Sequence, residues 1–220
     1  MLTRNIYFIR HGETILNAAH IRQSEGGALS SNGVSQAFSA GQRLKAFNIQ
    51  KIFCSPFQRA VETCDEVNKS LSVQSVEYVP LLGERKNPSE IVGLNYNDPL
   101  TVKAVNFMDK SYHEPDARWS DEENFQDLKD RAIKCLDFLS KNSSVNTLCI
   151  THGIFLKMLL CIMAYGKDLS VETYIKMSLF NPADNAGITI VEYHPLNFFS
   201  NPWEIVAYND SPISSESLKI

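Results

Sequence analysis

Short apolar runs rich in β-branched and aromatic residues alternate along this chain with stretches in which apolar residues recur every three or four positions. Residues 5–9 (NIYFI), 51–54 (KIFC), 75–79 (SVEYV) and 147–150 (TLCI) read as strands. Between the first two, Val34, Ala37, Phe38, Gly41 and Leu44 fall on one helical face, with Ser30, Ser31 or Asn32 as the N-cap. Ser55 and Pro56 read as the N-cap and first-turn proline of a second helix, whose Phe57, Ala60, Val61, Cys64 and Val67 share a face. Phe125, Leu128, Ala132, Cys135, Leu136 and Leu139 stripe a third, and the almost wholly apolar span 154–164 predicts a fourth, buried one. Residues 187–193 and 204–208 close the chain as two more strands, before a polar tail from Ser211 that is expected to fray. Strands alternating with helices predict an α/β fold of three layers, a mostly parallel central sheet with helices on both faces.

The regularity fades between about 85 and 122, where Pro88, Pro99 and Pro115 leave room for one modest helical stretch around 100–108. The expectation is a single domain, 1–220, with a lid or insertion over about 85–122 that sets substrate choice. At 220 residues, 44% hydrophobic and 21% charged, the composition is globular and excludes collagen-like, coiled-coil and fully disordered classes. A net charge of −4 argues against nucleic acid as a partner. The five cysteines are odd in number, lack CxxC spacing and sit in apolar segments, which fits reduced core thiols and a cytoplasmic location. Apolar runs are too short for a signal-peptide core or a membrane span, so no membrane partner is expected; oligomeric state leaves no trace in the sequence.

Polar clusters follow three of the predicted strands: Arg10-His11-Gly12-Glu13-Thr14, Ser55-Pro56-Phe57-Gln58-Arg59 and Thr151-His152-Gly153. A fourth, Leu82-Gly83-Glu84, follows the strand ending at Val79. Ligand crevices of open α/β sheets lie at the carboxyl ends of strands, so separate pieces would converge on one spot. Singly, each piece is weak: His152 reads first as a structural histidine, Arg59 as a helix-surface arginine and Glu84 as a solvated loop carboxylate. Together they have a shared chemical logic. Arginine forks bind phosphate oxygens, a neutral imidazole can attack phosphorus, and neighbouring cations hold it neutral. Helix N-termini after Arg59's loop and after His152 would add backbone donors for an anion.

In order and content, IYFIRHGET (6–14), Asn17, SPFQRAVET (55–63), Glu84 and THG (151–153) resemble the signatures of the histidine phosphatases, the phosphoglycerate mutase-like superfamily. The resemblance extends to 185–193 and 203–210 and leaves the 85–122 span unmatched; Ser30 stands where many relatives have threonine. It implies metal-independent hydrolysis of a phosphomonoester, a small phosphorylated metabolite, without a cofactor. His11 would be the nucleophile carrying the phosphoryl group, and Glu84 the proton donor to the leaving alcohol and then the base for water. Arg10, Arg59 and His152 would line the phosphate pocket, with Asn17 and Gly153 among the phosphate contacts. Arg22 is a further candidate contact, and Arg22, Arg85, Lys86 and Arg118 are candidates for a second anionic group. Arg85 and Lys86, directly after Glu84, would oppose its protonation if they turned inward.

Other readings are weaker. Cys54 to Arg59 is Cys-x4-Arg with a proline inside, the wrong spacing for a thiolate phosphatase loop. His20, His113 and His194 lack metal-ligand spacing and have loop-like neighbours, so no metal is expected. The acidic run 116–127 around Trp119 reads as a solvated helix entrance. A cofactor-dependent phosphoglycerate mutase is the alternative enzyme, and a catalytically silent phosphate-binding module the alternative of another class.

Overall fold

The structure is a computed structural model that describes residues 3–114, 116–180, 183–197 and 201–211. The predicted fraying of the tail beyond Ser211 lies outside the described residues. The elements in chain order are β1 (Arg4–Arg10), α1 (Ile15–Ala18), α2 (Ser31–Leu44), β2 (Lys51–Cys54), α3 (Gln58–Leu71), β3 (Val76–Tyr78), α4 (Pro99–Lys110), α5 (Phe125–Asn142), β4 (Asn146–Thr151), α6 (Gly153–Tyr165), α7 (Val171–Phe180), β5 (Ile188–Tyr193) and β6 (Trp203–Asp210). Six strands form one sheet in the order β3-β2-β4-β1-β5-β6. β3, β2, β4 and β1 pair in parallel, and β5 and β6 join antiparallel, so the sheet is mostly parallel as expected.

The period-two alternation of a strand sends successive side chains to opposite faces, and here each face has its own core. Ile6, Phe8, Phe53 and Cys149 point to one side, against α5 and α6. Tyr7, Ile9, Ile52, Cys54, Leu148 and Ile150 point to the other, against α2 and α3. All six residues of the predicted α5 stripe are buried, and the helix opens with a capping box between Asn124 and Asp127. All five cysteines are buried and free. No helix among the described residues is long and apolar enough to cross a membrane.

Several local expectations need correction. Ser30 is the N-cap of α2, accepting from Gly33 N–H, but Val34 and Phe38 are 40% and 48% exposed. The buried face of α2 runs instead through Gly33, Ala37, Ala40, Gly41 and Leu44. The reason is backbone proximity: a Cβ on Gly33 would stand 2.0 Å from the Glu13 carbonyl oxygen, and one on Gly41 2.7 Å from that of Val67. Close approach selects small residues and turns the large ones out. α3 begins at Gln58 with Phe57 at the N-cap, so Ser55 and Pro56 precede it, and its buried face takes in Arg59 and Thr63 rather than Val61. α1 and α7 were not foreseen.

Between residues 85 and 122, α4 is capped by Asp98 with Pro99 in its first turn. The span is stitched to the loop after α1: Arg22 N–H donates to Leu94 O and Gly93 N–H to Arg22 O, both at 2.9 Å, and Tyr96 N–H to His20 O at 2.8 Å. The acidic entrance to α5 is not wholly solvated. Glu122 is buried and accepts from the backbone N–H groups of Trp119 and Ser120.

Candidate active site

Strand register assembles the site. Arg10 on β1 pairs with Thr151 on β4, and Cys54 on β2 with Ile150, so the residues that follow, His11, His152 and Ser55, emerge side by side at the carboxyl edge of the sheet. The His11 and His152 rings lie 5.1 Å apart between centroids, with Phe57 on His152 at 5.0 Å. A cavity of about 410 Å³ opens over them, lined by Arg10, His11, Asn17, Arg22, Arg59, Glu84 and Gly153 among others. Seven of the eight predicted site residues therefore share one cavity; the eighth, His152, lies behind His11 in ring contact.

His11 Nδ1 is 2.7 Å from the Gly12 carbonyl oxygen. A carbonyl only accepts, so Nδ1 carries the proton and Nε2 keeps its lone pair. His152 Nε2 is 2.8 Å from Ser55 Oγ, which also accepts from Phe57 N–H. His152 Nδ1 is buried and without a partner. Arg10 donates through Nη1 to Ala183 O, and Arg59 through Nη1 to Ser24 O and Gly26 O. Both leave a buried Nε unpaired, an arrangement that an anion would complete. Asn17 Oδ1 accepts from Thr14 N–H in the capping box of α1. Gly153 lets Arg10 through, since a Cβ there would stand 3.2 Å from Arg10 Nε.

Glu84 overturns one expectation. Its Oε1 accepts from Arg85 N–H and Phe155 N–H, and its Oε2 from Ile154 N–H. The N-terminus of α6 is thus occupied by this carboxylate rather than left open for phosphate. The start of α3 is likewise used internally, with Gln58 N–H on Glu25 O and Ala60 N–H on Phe57 O. Of the two cations that follow Glu84 only Lys86 turns away, its Nζ pairing with Asp121 at 2.9 Å. Arg85 turns inward, lining a neighbouring cavity of about 610 Å³ together with Glu84, interacting with its charge and hydrogen-bonding Tyr112.

Residues that sequence reasoning missed hold these groups in place. Thr63 Oγ accepts from Gly12 N–H at 3.0 Å and donates to Arg59 O at 2.6 Å, tying the His11 loop to the helix that carries Arg59. Arg131 pairs with Glu123 and donates to the carbonyls of Leu81, Gly83 and Glu84, so one guanidinium grips the whole Glu84 loop. Asn185 Nδ2 donates to His11 O. Lys157, Tyr96, Gln23, Asn87 and Asp184 complete the cavity wall. A helical arginine such as Arg131 carries no sequence signal that separates it from a solvated one. Thr63 and Asn185 fall inside stretches already matched to the family signatures.

Both imidazoles are held well below the usual histidine range. Burial is the main cause; for His11 the charges of Arg10 and Arg59 add to it, and for His152 those of His11, Arg59, Arg10 and Arg131. The folded protein keeps these rings neutral at pH values where the unfolded chain protonates them. Stability is therefore expected to fall as pH drops below about 6.5, by up to about 1.4 kcal/mol per ring per pH unit, until the depressed folded-state value is reached. Urea midpoints at pH 7.5 and 5.5 check this, and His11→Gln/His152→Gln should flatten that part of the slope.

The cavity's donors are mostly cationic or amide, a poor cage for a metal ion. Among the described residues, one group could together hold one, Glu192, His194 and Glu204, and none of the three lines the cavity. The sequence pattern of the histidine phosphatase superfamily (branch 1) matches residues 6–211. The chain belongs to that superfamily. It is 26% identical over 221 residues to the fructose-2,6-bisphosphatase TIGAR B of Danio rerio, covering 86% of each chain. It is also 26% identical over 211 residues to a probable phosphoglycerate mutase GpmB of Proteus mirabilis, covering 93% of this chain and 92% of the relative. A mycobacterial glucosyl-3-phosphoglycerate phosphatase shares the histidine phosphatase fold at a TM-score of 0.76 and 19% identity, over 96% of this chain and all of the other.

Proposed function

We propose that this histidine phosphatase superfamily member hydrolyses small phosphomonoesters through a phosphoryl group carried on Nε2 of His11, without a metal. The observation that supports it most is the hydrogen bond from His11 Nδ1 to Gly12 O, which leaves Nε2 free beside Arg10 and Arg59. Nε2 attacks phosphorus, and the ester P–O bond breaks as Glu84 gives its proton to the leaving oxygen. Oε2 of Glu84, with one backbone donor, has the free lone pair to carry that proton. The phosphorylated ring is cationic, and the Gly12 carbonyl then accepts a charge-assisted bond. Glu84 next takes a proton from water, whose oxygen displaces the imidazole from phosphorus. Phosphate leaves and the neutral ring is restored. Arg10 and Arg59 balance the equatorial oxygens throughout, with His152 packed against the His11 ring.

Turnover of 4-nitrophenyl phosphate in excess chelator tests this; persistence of activity is expected, and its abolition by chelator would overturn the metal-free route. The lowered His11 also predicts that the acid limb of kcat/KM lies below the ordinary imidazole value. The GpmB relatives support a mutase as second reading. Isomerisation of 3-phosphoglycerate in the presence of bisphosphoglycerate would decide for the mutase.

In this reading Arg131 acts through Glu84. Arg131→Met should lower kcat by up to about 10²-fold, since small displacements of a catalytic group have effects of that size. KM should stay within about two-fold, and the loss should be greater for alkyl than for aryl phosphates, a split that a purely structural role would not produce.

A further inference from the structure

Four cations were candidates for a second anionic group, and the structure separates them. Lys86 pairs outward with Asp121, and Arg118 forks onto Asp127 away from the cavity. Arg85 lines the adjoining cavity, which shares Gln23, Arg59, Glu84 and Asn87 with the one over His11, and its charge acts on Arg22 from there. Arg22 alone of the four lines the cavity that holds His11. Its guanidinium carbon lies 4.8 Å from the centre of the Tyr96 ring, and its backbone is pinned on both sides by Leu94 and Gly93. Its Nε is buried without a partner. The carboxylate that acts on it electrostatically, Asp109, does not line the cavity.

A buried unpaired guanidinium nitrogen is costly unless something completes it, and in a cavity the completing group is a ligand. Arg10 and Arg59 already flank His11, so the phosphoryl group at Nε2 has its cations without Arg22. The cavity, about 410 Å³, is also far larger than one phosphoryl group requires. We propose that the substrate is a small phosphomonoester bearing a second anionic group, carboxylate or phosphate, that docks on Arg22 beside Tyr96 while the scissile phosphoryl group lies against His11, Arg10 and Arg59. This rests on the hydrolase reading above and narrows its substrate class.

Two matched pairs test it. 3-Phosphoglycerate and glycerol 3-phosphate differ by a carboxylate in place of a hydroxymethyl group; fructose 1,6-bisphosphate and fructose 6-phosphate differ by a second phosphate. The wild type should favour the doubly anionic member of at least one pair by roughly ten- to hundred-fold in kcat/KM, the range of a hydrogen bond between charged groups. The pair that shows the preference identifies the anion. Arg22→Gln should collapse that ratio to within about two-fold, chiefly through KM, and Arg22→Lys should restore part of it. Hydrolysis of 4-nitrophenyl phosphate with flat ratios in both pairs would remove the subsite and leave the hydrolase reading standing, as would a ratio that survives in Arg22→Gln. Failure of the wild type to turn over any of the five esters would remove both.

Discussion

His11→Asn should lose at least roughly 10⁴-fold in phosphatase activity, because it removes the atom that forms the covalent bond rather than one that assists it. The loss should come with a chemical signature. A phosphoryl group on imidazole nitrogen is labile in acid and stable in base, whereas one on a serine oxygen resists acid and one on a carboxylate is lost in base. Rapid quenching of wild-type protein with a labelled ester should therefore trap an acid-labile, base-stable label, and His11→Asn should trap none. A base-labile label would point to Glu84 as the nucleophile instead. Persistent label in His11→Asn would place the chemistry elsewhere in the cavity and sink the assignment.

Glu84→Gln has the next largest expected effect, about 10²–10⁴-fold in kcat for alkyl phosphates, the span of a positioned general acid. With 4-nitrophenyl phosphate, whose leaving group hardly needs a proton, the first step should be much less affected, leaving dephosphorylation as the slow step and label accumulating on His11. The same substitution disturbs α6. A glutamine presents one acceptor where the carboxylate has two, so one of the backbone N–H groups of Ile154, Phe155 or Arg85 loses its partner. Loss of an N-cap contact is worth about 0.5–2 kcal/mol. A drop in kcat with no dependence on the leaving group would mean that the carboxylate serves the helix alone.

How far the sequence carried these conclusions differs from element to element. The α5 stripe was legible in full because its buried positions are large and evenly spaced. α2 was not, since its inward face is made of glycine and alanine, chosen for close approach to Glu13 and Val67, and counting large apolar residues turns the helix the wrong way. α7 escaped notice because its polar and apolar positions are weakly segregated. Seven of the eight predicted site residues meet in one cavity because four motifs follow strand ends that the register sets side by side. Arg131 could not be found that way, for its value lies in three carbonyls some fifty residues earlier in the chain. Nor could the fate of the α6 N-terminus, which depends on where the side chain of Glu84 comes to rest.

The Thr63 hydroxyl joins the amide of Gly12 to the carbonyl of Arg59. The His11 loop and Arg59 are consequently welded into one body that inherits the rigidity of the sheet and of α3. Their spacing is settled when the chain folds, so under the proposed mechanism an arriving ester would meet a receptor already in shape, and little of its binding would be spent on rearranging the walls.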